Sequence, residues 1–96
     1  MTGEQNRERR AGLDIVVDIH GMRAFAAKTY LQHLLARASL DRDAKEVIVV
    51  HGYHSGTALR DMVRKELRSP YIKERHPGFS DGQTILVLKK RTSPPR

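Results

Sequence analysis

The sequence contains no cysteine and no tryptophan, and only 5% of its 96 residues are aromatic. Without cysteine the chain has no disulfide and no thiolate metal site, which fits a reducing compartment such as the cytoplasm. No apolar run approaches the ~18 residues that a membrane span requires. The polar start of the chain also predicts that there is no signal peptide. The length of 96 residues is enough for one small domain with one modest core.

The net charge of +7 is concentrated in two parts of the chain. Residues 51–76 carry six basic and three acidic side chains, and residues 89–96 carry four basic side chains and no acidic one. Residues 13–50 carry five charges of each sign. Clustered positive charge favours a polyanionic partner. A generic solvated basic surface is the alternative that the charges alone leave open.

Hydrophobic periodicity predicts strands at 14–20, 46–50, 71–76 and 83–89, and helices at 24–38 and 57–68. The four β-branched residues at 47–50 predict a strand that is buried on both faces. The βαβαββ order predicts an α/β fold, a two-layer sandwich with two helices on a mixed four-stranded sheet. Residues 1–12 and 90–96 are predicted to be disordered tails, the second of them basic, around a domain at 13–89.

Two strands of this sheet end in the same dipeptide, His20-Gly21 and His51-Gly52. A strand–helix–strand crossover normally makes its two strands parallel neighbours. The two histidine–glycine corners should then lie about 5 Å apart at one edge of the sheet. Because ligands of open α/β sheets bind at that edge, we expect the functional site there.

Asp18 and His20 lie two residues apart on a strand and therefore share a face. A carboxylate beside an imidazole can orient it and stabilise its charged form, which suits general acid–base chemistry at a phosphodiester. His51 could act as the second half of an acid–base pair. The alternatives are structural: Asp18 and His20 could pin the strand end by hydrogen bonds, and backbone groups could satisfy His51.

The second corner leads through a glycine-bracketed loop, residues 52–56, into the second predicted helix. Backbone N–H groups at a helix start attract phosphate. In the loop, His54 could contact phosphate and Tyr53 could stack on a base. Arg60 and Arg64, about one helical turn apart, could clamp a phosphate between their guanidinium groups. A plain solvated helix face is the alternative.

A metal site is a weaker hypothesis for the same edge. Asp18, His20, His51 and His54 could converge as ligands, but no pair has the helical His-x-x-x-His spacing of familiar zinc sites. We therefore predict no tightly bound metal or other cofactor. A loosely held Mg²⁺ carried by substrate phosphate is compatible with the sequence.

The motifs around the two corners resemble those of the Smr (small MutS-related) domains, in their short stand-alone form. Val17-Asp18-Ile19-His20-Gly21 resembles that family's Leu-Asp-x-His-Gly motif. Its His-Gly-x-Gly motif and Gly-x-Leu-Arg-type helix start are similar to Ile48-Val49-Val50-His51-Gly52 and Ser55-Gly56-Thr57-Ala58-Leu59-Arg60. Its glycine-led start of the last strand is similar to Asp81-Gly82-Gln83-Thr84.

The resemblance implies a fold like that of the C-terminal domain of translation initiation factor three. It also implies nucleic-acid binding and, in several members, endonuclease or DNA-nicking activity by phosphodiester hydrolysis. The predicted partner is DNA or RNA, and the predicted catalytic residues are Asp18, His20 and His51. The predicted nucleic-acid-binding residues are Gly21, Gly52, Tyr53, His54, Ser55, Gly56, Arg60, Arg64, Lys65 and Arg68. The alternatives are a non-catalytic DNA- or RNA-binding module and a protein-interaction domain for an acidic partner.

Overall fold

The computed structural model describes residues 7–52 and 57–90. The strands are β1 (Glu8–Ala11), β2 (Asp14–Asp18), β3 (Glu46–Val50), β4 (Ile72–Pro77) and β5 (Gln83–Leu88). Helix α1 spans Ala24–Ala38, and helix α2 spans Ala58–Asp61 and continues as a π-helical segment, Met62–Glu66. The strands form one mixed sheet in the order β1-β2-β3-β5-β4. The α/β class predicted from the sequence is confirmed.

Strand directions bring several strand ends to the same edge of this sheet. β2 and β3 pair in parallel, as the crossover predicted, while β5 pairs antiparallel with both β3 and β4. β4 therefore runs in the same direction as β2 and β3. The carboxyl ends of these three strands and the start of β5 meet at one edge, called the carboxyl edge below.

The sheet has five strands rather than the predicted four, because β1 forms within the segment that was expected to be disordered. Gly12, with φ 64°, lies in the two-residue turn between β1 and β2, and Ala11 pairs with Asp14. The Tyr30 hydroxyl of α1 donates a hydrogen bond to the Glu8 carboxylate, and Arg37 lies 3.3 Å from the same group. Long-range polar contacts stabilise this strand, and such contacts cannot be predicted from hydrophobic periodicity.

The second helix is shorter than the predicted 57–68 and ends in π-helical turns. Leu67 leaves the helix with φ −64° and ψ 123°. The Arg75 guanidinium of β4 donates to the Val63 carbonyl at 2.5 Å and also to the Leu67 carbonyl. These bonds satisfy carbonyl groups at a helix end, which otherwise lack partners. None of the helices in ranges 7–52 and 57–90 is long and apolar enough to cross a membrane.

Both helical segments pack on the same face of the sheet, which places the core between them and alternate strand residues. The fully buried side chains include Val17, Val47, Val49 and Leu86 of the sheet and Leu31, Leu34, Leu35 and Val63 of the helices. The prediction that 47–50 is buried on both faces is wrong: Ile48 and Val50 are half-buried. Their face of the sheet is not covered by a helix in the described part of the chain.

Candidate nucleic-acid interface

The two histidine–glycine corners are direct neighbours at the carboxyl edge. The Ile19 amide donates to the Val50 carbonyl at 2.9 Å, which continues the β2–β3 pairing up to the corners. A Cβ atom added to Gly52 would lie 3.4 Å from the His20 Cβ. Gly21 and Gly52 have φ 82° and 77°, values that strongly favour glycine. The predicted convergence of the two corners is therefore present in the structure.

Asp18 and His20 form an exposed dyad at the first corner. Asp18 Oδ1 lies 2.5 Å from His20 Nδ1 and also accepts the His20 amide at 3.0 Å. Partial burial raises the pKa of Asp18, but the hydrogen bonds and the charges of His20 and Arg7 outweigh it, so this pKa lies below its usual value. Because the carboxylate can only accept, Nδ1 carries a proton. The His20 side chain is 69% exposed, and Nε2 makes no hydrogen bond to the described residues.

His51 has a different environment from His20, although their backbones are adjacent. Only 3% of His51 is exposed, and its Nε2 lies 2.9 Å from Thr84 Oγ1 on the helix side of the sheet. Burial lowers the pKa of His51, and the charges of Arg64 and Arg60 lower it further, against opposing effects of Gly52 and Asp81. At neutral pH the imidazole is therefore uncharged. The structure does not bring it to the exposed His20 ring as an acid–base pair.

The first turns of the second helix supply two arginines that meet one carboxylate at the carboxyl edge. Arg60 Nη1 lies 2.7 Å and Arg64 Nη1 3.6 Å from the carboxylate oxygens of Asp81, in the loop between β4 and β5. Arg64 also donates from Nε to Thr84 Oγ1 at 2.8 Å and from Nη2 to the Gln83 carbonyl at 2.9 Å. Arg60, Arg64 and Asp81 together form the arginine cluster.

The remaining predicted contact residues divide into two groups. Lys65 and Arg68 are exposed near the far end of the helical segment, and Arg68 Nη1 donates to the Lys65 carbonyl at 3.1 Å. Arg68 follows the end of the helical segment at Glu66 and precedes the start of β4, which lies at the opposite edge of the sheet. Tyr53, His54, Ser55 and Gly56 lie outside the described residues.

Two residues of the site had no role assigned from the sequence, Asp81 and Thr84. Thr84 is fully buried and links the second corner to the arginine cluster, since its hydroxyl contacts both His51 and Arg64. The sequence feature that could have indicated a role for Thr84 is its hydroxyl at a core-facing position in an otherwise apolar strand. Asp81 had no comparable signal, because an aspartate before glycine is also typical of a surface turn.

The lowered pKa of His51 predicts that the protein becomes less stable as the pH falls through about 6.5. Below that value the unfolded chain binds a proton at this histidine more readily than the folded protein does. Comparing denaturant unfolding near pH 7.5 and pH 5 should reveal a loss of about 1 kcal/mol per unit of pKa difference. Asp18 does not contribute in this window, because its carboxyl protonates only at lower pH.

The control for this prediction is His51→Gln, which removes the titrating group and keeps a polar side chain. The difference in unfolding free energy between the two pH values should shrink in the variant. An equal difference in parent and variant would show that His51 is not the responsible group.

Comparison with known proteins identifies the family. The family model of the Smr domain matches residues 17–85, which include both corners and the arginine cluster. The chain belongs to the Smr domain family. Its structure also matches the crystal structure of the Smr domain of Thermus thermophilus MutS2, with a TM-score of 0.68 and 22% sequence identity. That match covers 77% of this chain and 96% of the other. A comparison with curated proteins found no match.

In this Smr domain, the matched region places chemically distinct groups at different strand ends of the carboxyl edge. An exposed imidazole held by a carboxylate lies at the end of β2, and an arginine cluster lies beside the start of β5. Within ranges 7–52 and 57–90, no three or more histidine, aspartate or glutamate side chains are grouped to hold a metal ion. The edge therefore presents one imidazole–carboxylate pair and two guanidinium groups that share a carboxylate.

Proposed function

We propose that this Smr domain binds DNA or RNA along its carboxyl edge and cleaves a phosphodiester with the Asp18–His20 dyad. The observation that carries the proposal is the exposed His20 ring, held at 2.5 Å by Asp18 beside the second corner. Smr domains generally bind nucleic acids, and some members are endonucleases. Such an edge can contact the sugar–phosphate backbone without reading base edges.

In the proposed complex, the dyad and the arginine cluster contact different phosphates of one nucleic-acid strand. They are separated by β3, so about two strand spacings, ~10 Å, lie between them. A phosphate that displaces the Asp81 carboxylate would gain a charge-assisted, two-point contact with Arg60 and Arg64. The arginine cluster then holds the nucleic-acid strand, while a neighbouring phosphodiester lies at His20.

His20 acts as a general base in this mechanism. Its Nε2 accepts a proton from the attacking oxygen, while Asp18 holds the ring and stabilises the imidazolium. In RNA the attacking group is the 2′-hydroxyl: the new bond closes a 2′,3′-cyclic phosphate, the P–O5′ bond breaks, and the 5′ oxygen takes up a proton from water. In DNA a water molecule attacks phosphorus, one P–O ester bond breaks, and the leaving oxygen takes up a proton from water, which leaves a phosphate monoester and a hydroxyl. The cleavage assay is run with and without Mg²⁺, because the substrate phosphates can carry this ion to the site.

A non-catalytic DNA- or RNA-binding module is the second candidate. The burial of His51 favours it, because the edge then presents one exposed acid–base group from the two corners instead of two. Both candidates require the same phosphate contacts, so binding and cleavage must be measured separately.

We expect nucleic-acid affinity to fall steeply with salt, with a log–log slope of roughly −0.9 per neutralised duplex phosphate. Arg60→Ala should weaken binding to all sequences similarly and reduce the magnitude of the slope by about one. Asp81→Asn should strengthen binding a few-fold, because the carboxylate no longer competes with phosphate for Arg60. Fluorescence anisotropy titrations at several salt concentrations measure all three effects.

Arg42→Ala is the matched control for these variants. Arg42 is an exposed arginine in the turn between α1 and β3, at the opposite edge of the sheet. Its removal lowers the net charge by the same amount as Arg60→Ala. If both substitutions weaken binding equally, the contact is non-specific attraction and not the arginine cluster. A parent affinity that does not depend on salt would instead favour a protein partner.

A further inference from the structure

Two phenylalanines are the most exposed large hydrophobic side chains in the described ranges. Phe25 is 78% exposed and Phe79 is 97% exposed, compared with 65% for Leu40 and 49% for Leu13. A single exposed apolar residue needs no explanation. These two are notable for their position, since both lie at the carboxyl edge.

Phe25 is the second residue of α1, which begins shortly after the end of β2. Phe79 lies in the loop that joins the carboxyl end of β4 to the start of β5. In the sheet order, β2 and β4 are separated by β3 and β5, which corresponds to about 14 Å. The two flanking rings therefore follow the carboxyl ends of β2 and β4, the strands on either side of β3 and β5 at this edge.

We propose that Phe25 and Phe79 are stacking platforms for unpaired bases, so that the preferred ligand is a single-stranded stretch of nucleic acid. This inference rests on the proposed function and specifies its substrate class. A base offers its flat face to an aromatic ring only when it is not enclosed in a duplex stack. Phosphates held at the arginine cluster would leave the attached bases free to reach the flanking rings.

The surroundings of Phe25 suit this role better than the docking of an apolar protein surface. Arg23 is exposed beside it, and Lys28 lies one helical turn further along α1. The buried centres of protein interfaces are more apolar than the rest of the surface and are depleted of charged side chains. An exposed ring with neighbouring basic groups instead combines a path for the phosphate backbone with a stacking surface, as single-strand-binding proteins do.

The test compares a short single-stranded oligonucleotide with a blunt duplex of the same sequence, as DNA and as RNA. Phe25→Ala and Phe79→Ala should each weaken single-strand binding by roughly fivefold to hundredfold, and duplex binding by less than about twofold. Phe25→Tyr and Phe79→Tyr should retain single-strand affinity, because they keep an aromatic face. Leu40→Ala, which removes an exposed apolar side chain just after the far end of α1, should change neither.

A spectroscopic readout reports stacking directly. Because the sequence has no tryptophan, Phe79→Trp introduces a single reporter at the proposed platform. Its fluorescence should be quenched when the single strand is added and remain unchanged with the duplex.

Three results would overturn the stacking inference while the proposed function stands. The first is that the alanine variants bind single strands as tightly as the parent protein. The second is that the tryptophan signal does not respond to a single strand that binds. The third is an equal loss of affinity for single strand and duplex, because a stacking contact is selective. If the parent protein binds neither nucleic acid, the proposed function itself fails.

Discussion

His20→Ala is expected to reduce phosphodiester cleavage by roughly 10²–10⁴-fold, the usual contribution of a positioned general base. Asp18→Asn should also reduce the rate strongly, because it removes the negative charge that stabilises the imidazolium. Both variants should still bind nucleic acid, since the arginine cluster is unchanged. The assay uses supercoiled plasmid and structured RNA, each with Mg²⁺ and with chelator.

The matched control is His33→Ala, which removes an exposed histidine from the outer side of α1. It should cleave at the parent rate. If the His20 and Asp18 variants also cleave at the parent rate, the activity comes from a contaminating nuclease or from another site. If the parent protein binds but does not cleave under any of these conditions, the non-catalytic binding module is the correct function.

Thr84→Val is expected to lower the free energy of unfolding by roughly 2–4 kcal/mol, although the two side chains have similar shapes. The buried Thr84 hydroxyl contacts His51 Nε2 at 2.9 Å and accepts from Arg64 Nε at 2.8 Å. Valine leaves both nitrogens without this partner, and one of them belongs to a charged group. Urea unfolding followed by circular dichroism measures the difference.

Thr84→Ser keeps the hydroxyl and removes the methyl group, so it separates their contributions to the free energy of unfolding. It keeps both polar contacts and should be destabilised much less than the valine variant. If the serine variant is destabilised and the valine variant is as stable as the parent protein, the packing of the methyl group, and not the hydroxyl, is what matters. Arg64→Lys offers a related test, because lysine cannot reproduce the two donated bonds to Thr84 and Gln83 together.

The elements whose stability depends on local apolar pattern agreed with the prediction. Helix α1 has the predicted bounds because its apolar stripe, with Leu31, Leu34 and Leu35, recurs at helical spacing. β3 also has its predicted bounds. The adjacency of the two corners followed from the chirality and shortness of the crossover, which do not depend on side-chain detail.

Prediction and structure differ where long-range polar contacts determine whether a strand forms or where a helix ends. β1 depends on contacts that Glu8 makes with Tyr30 and Arg37, more than 20 positions along the chain. The end of the second helix depends on Arg75, which comes from β4. Sequence periodicity contains no record of these partners, so the predicted sheet lacked β1 and the predicted second helix was too long.

The sequence by itself determined the family, the α/β layering and the meeting of the two histidine–glycine corners, because motif spacing and hydrophobic period are local properties. Only the tertiary structure decided what each corner presents to solvent. The alternation of side chains along the strands, with both helices on one face, leaves His20 exposed with Asp18 and buries His51 against Thr84. Which face the helices cover is a property of the packed molecule, and it separates two histidines that look equivalent in the sequence.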